Sequence, residues 1–398
     1  MKREPLSLGM IQMYGLAMFY FTANAVLTVI FPLQASAVGM PEAEIGIMMG
    51  MYMFVCMILR PWAGQMVGKH SVFTIMKWLL VGHAIALLLY VIVGVSSLYL
   101  VRILQGVVTA FFSMAMQIGV ADVLRDEDRG QGMAMYSLST VLPGLYGPAL
   151  ALLLWSQQSH TTLMLLIVSL AFLPLLFFIK SPLPKTKNDN TSFTLREMFK
   201  AFGTARKNKG LVTSSIIMLL GASVFGALSA FLPLFLITTK TGNAAFYLFL
   251  QAIVVVTSRF LFRKYIPSDG NWHPKFMAIV LVSSIMGTTL LAVLPHINYL
   301  LYSSAIFNGI ATAMLYPTLT TYISFVVPDA QRHILLGIFL ASYDLGFSLG
   351  GFMMGFVIQY VSYQAMFITC SIVGVVALIY NFASTLPPRE DEGAPVSS

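Results

Sequence analysis

Apolar residues run along this chain in stretches of about 20, broken by short polar or charged segments. That length matches a helix crossing the hydrocarbon layer of a bilayer and lacks the ~10-residue alternation of a membrane β-barrel strand. Twelve spans are predicted, at residues 8–38, 45–67, 73–95, 98–120, 132–155, 161–179, 211–237, 244–262, 274–294, 299–326, 334–358 and 366–386. The predicted fold class is an all-α membrane protein with 12 transmembrane helices in two pseudo-symmetric six-helix bundles. One bundle takes residues 1–180 and the other 211–386. Between them residues 181–210 form a polar linker containing an amphipathic stretch suited to a helix on the membrane surface. Residues 387–398 form a polar tail with the composition of a disordered segment.

The two halves repeat each other. A slide of 203 residues brings Tyr99 onto Tyr302, Gly106 onto Gly309, Thr109 and Ala110 onto Thr312 and Ala313, Asp126 onto Asp329, Arg129 onto Arg332 and Gly147 onto Gly350. A slide of 201 brings Pro32 onto Pro233 and Leu27 onto Leu228. Like-oriented repeats of this kind suit a transporter whose halves rock about a central site.

Composition narrows the class further. Hydrophobic residues make up 58% of the 398 and charged residues only 10%, against about 25% charged in soluble domains. The net charge of +8 is spread between the spans, so it is no nucleic-acid footprint. With the N-terminus inside, the inner loops, span ends and tails hold every Lys and Arg except Arg102 and Lys240. The positive-inside rule therefore predicts a multi-pass protein of the cell membrane with both termini cytoplasmic. The N-terminal apolar segment is too long for a signal-peptide core and reads as the first span. Cys56 and Cys370 both lie within apolar runs and read as small buried hydrophobes. The sequence offers no metal-ligand spacing, and no cofactor is expected. A nucleotide-binding Gly-rich loop is absent, so an ion gradient is the expected energy source.

The stretch YLVRILQGVVTA, residues 99–110, carries a charge inside an apolar span. An arginine at membrane depth costs roughly 2.5 kcal/mol or more, so it usually has a partner or a function. Arg102, Gln105 and Gly106 share one helical face. Leu100, Arg102, Gln105, Gly106 and Ala110 match the fourth-helix motif L-x-R-x-x-Q-G-x-x-x-A of proton-coupled drug exporters. With the layout of two six-helix halves and a linker, they resemble the major facilitator superfamily over the whole chain. The fifth-helix exporter motif is partly kept in Pro143, Gly144, Gly147 and Pro148. The loop motif after the second span is altered: Gly68 stands where the family has an aspartate. Residues 21–33, 49–65, 263–277 and 316–328 are similar to a narrower group, the exporters of opine-type metallophores. That resemblance implies export of a staphylopine-like or nicotianamine-like chelator used to acquire divalent metals.

Candidate residues follow from chemistry and depth. Arg102 has a permanent charge and a planar fork suited to carboxylates, either as substrate anchor or as a group that tunes the proton site. Asn24, Gln105, Asn308, Tyr136 and Tyr316 are the further candidates for substrate contact. Asp344, flanked by small residues in span 11, is the preferred proton-carrying group; a structural bond, or a gate ion pair with Arg332 or Arg60, is the competing reading. His83 is a second titratable group at depth, although a lone histidine there often only packs. Arg60, Lys69, Asp126, Arg129, Asp329 and Arg332 are the candidate gate residues. The expected partners are an anionic or zwitterionic small-molecule chelator, protons and the lipid bilayer, with the chain acting as a monomer. The expected mechanism is antiport by alternating access. Multidrug efflux is the alternative. An intramembrane enzyme would need paired acid–base or metal-ligating groups within spans, and the sequence has none.

Overall fold

The computed structural model describes residues 3–125, 128–157, 160–183, 203, 205–293, 300–327 and 332–384, with the backbone alone at a few helical positions. The main helices are α1 Leu8–Ala37, α2 Glu42–Lys69, α3 Val72–Val93, α4 Leu98–Val123, α5 Arg129–Ser156, α6 His160–Ile179, α7 Lys209–Thr238, α8 Ala244–Phe262, α9 Pro274–Val293, α10 Leu301–Val326, α11 Arg332–Tyr360 and α12 Tyr363–Ala383. These helices match the twelve apolar runs, with ends shifted by at most about three residues, the usual reach of capping and fraying. Four start on polar side chains that take a free backbone N–H: Ser71 from Thr74 at 3.2 Å, Asn208 from Leu211 at 3.0 Å, Asn243 from Phe246 at 2.9 Å and Ser362 from Ala365 at 3.1 Å. Among the described residues ten helical stretches are long and apolar enough to cross a membrane, one of them covering both α3 and α4. α10 is not among them, because Ser303, Ser304, Asn308 and several threonines dilute it. Most of linker 181–210 and the tail 387–398 lie outside the described residues.

Helix neighbours follow the repeat. In the first half α1 packs on α5 and α6, α2 on α4, and α3 on α4 and α6. The second half repeats each of these as α7 on α11 and α12, α8 on α10, and α9 on α10 and α12. Across the halves α2 lies along α11, α5 meets α8, and α1 meets α7. Equivalent glycines set equivalent contacts. A Cβ on Gly106 would fall 2.5 Å from the Tyr52 carbonyl, and one on Gly309 would fall 3.0 Å from the Gln251 carbonyl. Only a residue without a side chain allows α4 onto α2 and α10 onto α8 this closely.

Buried apolar residues divide by depth. The near face is the one where α1 begins; the far face carries the α1–α2 and α7–α8 turns. Toward the far face one continuous core joins both halves, taking Val26–Ala35 from α1, Ile45–Met49 from α2, Val224–Leu236 from α7 and Met354–Ile358 from α11. Toward the near face there are two cores. One holds Met10, Met13, Leu16, Phe112, Met116 and Val120 of the first half, and the other holds Ile217, Leu315, Leu319, Ile323 and Phe339 of the second. The halves are thus fused at the far face and separately packed at the near face.

Candidate functional site

Arg102 is 1% exposed, inside the first half. Its Nη1 donates to Gln105 Oε1 at 3.4 Å, and its Nη2 reaches the Leu27 carbonyl at 3.4 Å and Met49 Sδ at 2.8 Å. The guanidinium lies over Phe31 at 4.7 Å and Tyr52 at 5.6 Å. Aromatic faces and neutral acceptors stabilise a desolvated cation without neutralising it. Nε has no hydrogen bond, and no ion pair of Arg102 occurs among the described residues. One turn on, Gln105 Nε2 donates to Asn24 Oδ1 at 3.2 Å. Asn24 Nδ2 approaches Tyr52 and Thr109, at 3.4 and 3.5 Å, and the Tyr52 hydroxyl donates to Thr109 Oγ1 at 3.1 Å. The hydroxyl of Tyr20 bonds to the same Thr109 oxygen. Arg102, Gln105 and Asn24 therefore form one polar network spanning α1, α2 and α4. It lies against Leu27, Phe31 and Met49, at the margin of the shared far-face core.

The second charged centre joins the halves. Asp344 of α11 is fully buried and receives Nε and Nη2 of Arg60 from α2, the latter at 3.0 Å. Arg60 keeps 18% of its side-chain surface exposed. This geometry is the bidentate fork that suits guanidinium to carboxylate. Far-ward of this pair, α2 and α11 touch through Gly46, Gly50, Gly351 and Gly355. A Cβ on Gly50 would fall 2.6 Å from the Ser348 carbonyl, and one on Gly355 would fall 2.5 Å from that of Glu42.

The remaining candidates are dispersed. His83 is buried, with Nε2 3.4 Å from the Leu170 carbonyl and its ring 4.8 Å from that of Tyr20. It fills the α1–α3–α6 junction and lies apart from Asp344. Tyr136 is part of the near-face core of the first half. Asn308, the repeat mate of Gln105, turns within its own half: Nδ2 donates to the Tyr247 hydroxyl at 3.1 Å, and the side chain fills the space over Gly287. Tyr316 does reach the gap between the halves, its ring 5.9 Å from Tyr343 and its hydroxyl within Coulombic range of Arg60. Of the candidate gate set, Arg60 stands nine residues before α2 ends, away from the loop, and is paired with Asp344. Asp126 and Asp329 lie outside the described residues, and for Lys69, Arg129 and Arg332 only the backbone is described. Sequence reasoning passed over Arg259. As the last-turn cation of α8, followed by Arg263 and Lys264, it reads as loop charge.

The comparisons with known proteins agree with this architecture. The family model of the major facilitator superfamily matches residues 13–283 and 270–398. The chain is 39% identical over 383 residues to the staphylopine export protein of Staphylococcus aureus, covering 95% of this chain and 96% of that one. Among solved structures, a single-residue mutant of the nucleoside transporter NupG superposes with a TM-score of 0.78 at 18% identity, covering 94% of this chain and 99% of that chain. A bacterial homologue of the human lysosomal transporter Spinster superposes with a TM-score of 0.73 at 14% identity, covering 94% and 96%. At those identities the likeness is one of fold. Family model, full-length relative and helix arrangement lead to one conclusion: the chain belongs to the major facilitator superfamily.

Proposed function

We propose that this protein is a secondary active exporter of an opine-type, staphylopine-like metallophore. One observation carries the reading: 39% identity to a staphylopine exporter over nearly the full length of both chains. The charge pattern supports an anionic substrate. Arg102 stays unneutralised among the described residues, and Asp344, the one fully buried acid among them, is held by Arg60. A pump for cationic drugs needs an unpaired acid at depth, so this pattern disfavours multidrug efflux.

Alternating access supplies the mechanism. With the near face cytoplasmic, substrate enters between the two separately packed cores while the shared far-face core blocks passage outward. Reversal exchanges the two arrangements. Proton antiport drives the cycle when protonation of Asp344 loosens its hold on Arg60.

The test is accumulation of the chelator in cells lacking the protein, with wild type and Arg102→Ala restored separately. Wild type should clear the chelator and Arg102→Ala should slow efflux at least tenfold. Normal efflux without the protein rejects the substrate assignment. In inside-out vesicles an acidic lumen should accelerate uptake of the chelator, and indifference to the pH gradient rejects proton coupling.

A further inference from the structure

Arg60 and Arg259 occupy equivalent places in the two repeats. Gly106 rests on the Tyr52 carbonyl and Val55, and Gly309 rests on the Gln251 carbonyl and Val254. The offset between these partners is 199 residues, and it carries Arg60 onto Arg259. Both guanidiniums share the neighbourhood of the same two phenols of the second half. Arg60 and Arg259 each lie within Coulombic range of Tyr316 and Tyr343, whose rings stand 5.9 Å apart.

Their partners differ. Arg60 is held by Asp344, but the offset of 203 that relates α5 to α11 puts Val141 where a matching acid would stand. Arg259 accordingly makes no ion pair among the described residues. Its Nε is buried without a hydrogen bond. A cation in the last turn also suits the helix dipole, yet that role is served by a side chain in water and requires no buried Nε. The cluster holds two guanidiniums and one carboxylate, so it carries one uncompensated positive charge on the near-face side of the fused core. Arg102, by contrast, is sealed at the margin of that core.

We propose that Arg259 and Arg60 form a two-pronged receptor for a substrate bearing at least two carboxylates. Arg259 takes one carboxylate directly, and Arg60 takes the second as it leaves Asp344. Tyr316 and Tyr343 wall the site between them. An opine by its chemical class carries the required carboxylates, so the proposal rests on the exporter reading above and names the residues that meet the substrate first. Arginine suits the task because its fork binds a carboxylate through two parallel hydrogen bonds.

The experiment measures binding of metal-free staphylopine to the purified protein in nanodiscs, beside a set of derivatives each amidated at one carboxylate. Arg259→Gln should weaken staphylopine binding by about 10- to 100-fold, the range of a charge-assisted hydrogen bond. For the one derivative that already lacks the contacting carboxylate, the same substitution should change affinity less than threefold. Arg259→Lys, which keeps the charge without the fork, should fall between. Unchanged affinity in Arg259→Gln, or equal weakening across every derivative, overturns the receptor. If Arg259→Gln does not fold, Arg259→Lys with the same derivatives decides, and a uniform penalty overturns the proposal. Failure of wild type to bind or transport staphylopine would instead remove the exporter reading itself.

Discussion

Removing one partner of a buried ion pair strands the other charge at a cost of about 3–5 kcal/mol, while removing both together costs far less. Arg60 and Asp344 are such a pair, moderated on the arginine side by its residual exposure. Asp344→Asn and Arg60→Gln should each lower the thermal midpoint in detergent, and the double variant should recover much of the loss. A double variant no better than the worse single would show that the two do not act as a pair. A second residue-scale prediction concerns Asp269, in the loop before α9. The backbone N–H of Asn271, at 3.0 Å, and the His273 ring, at 2.9 Å, hold its carboxyl down to about 2 from an ordinary 3.8. A depressed folded value means stability that is present above the ordinary value and lost as pH falls through the folded one. The difference in melting temperature between wild type and Asp269→Ala should therefore be full above pH 3.8 and close as pH falls to about 2. A difference independent of pH would assign the loop's stability to something other than this carboxylate. Residue by residue, the sequence shows which positions are charged at depth but not whom they meet. Asp344 and Arg60 are 284 positions apart, and more than one acceptable partner could be named before the helices were placed.

At the scale of elements, helix existence and order were legible because a bilayer imposes length and apolarity on every span. Register was not. The repeat offset is 201 for α1 and α7, 199 for α2 and α8, and 203 for α4 and α10, so no single slide aligns the halves. Loops of unequal length absorb the difference, and the equivalence of Arg60 and Arg259 emerges only when helix contacts fix each offset. The same contacts identify α2 and α11 as an element pair, joining the two halves, that is sensitive to bulk. Gly50→Leu should push the two helices apart against the Ser348 carbonyl. The expected outcome is faster labelling by a membrane-impermeant thiol reagent at a single cysteine placed at Gln34, with both native cysteines replaced. Unchanged labelling would mean that the pair does not seal the far face. Gln34 is 8% exposed in the closed arrangement, which keeps the background low.

For the whole molecule, orientation rests on charge. The turn between α7 and α8 carries Lys240, the one loop lysine of the far face. An alkaline phosphatase fusion at Lys240 should be active and a fluorescent-protein fusion at the C-terminus should glow, as the positive-inside rule requires. The reverse pattern would invert the direction of transport. The layout of two halves was readable from the repeated glycines and prolines, whereas the division of the apolar core by depth was not, because it depends on how the bundles tilt and not on what either contains. The glycine seam between α2 and α11 has a consequence for energetics. Beyond the Arg60–Asp344 pair, no ion pair among the described residues crosses it. Acidity and ionic strength at the far face therefore meet no ion pair across the seam among the described residues. Unzipping it costs dispersion contacts between close backbones and the bond from the Ala43 N–H to Gln359 Oε1 at 3.1 Å, and a charge-borne command to open acts at the near end, where Arg60 and Asp344 meet.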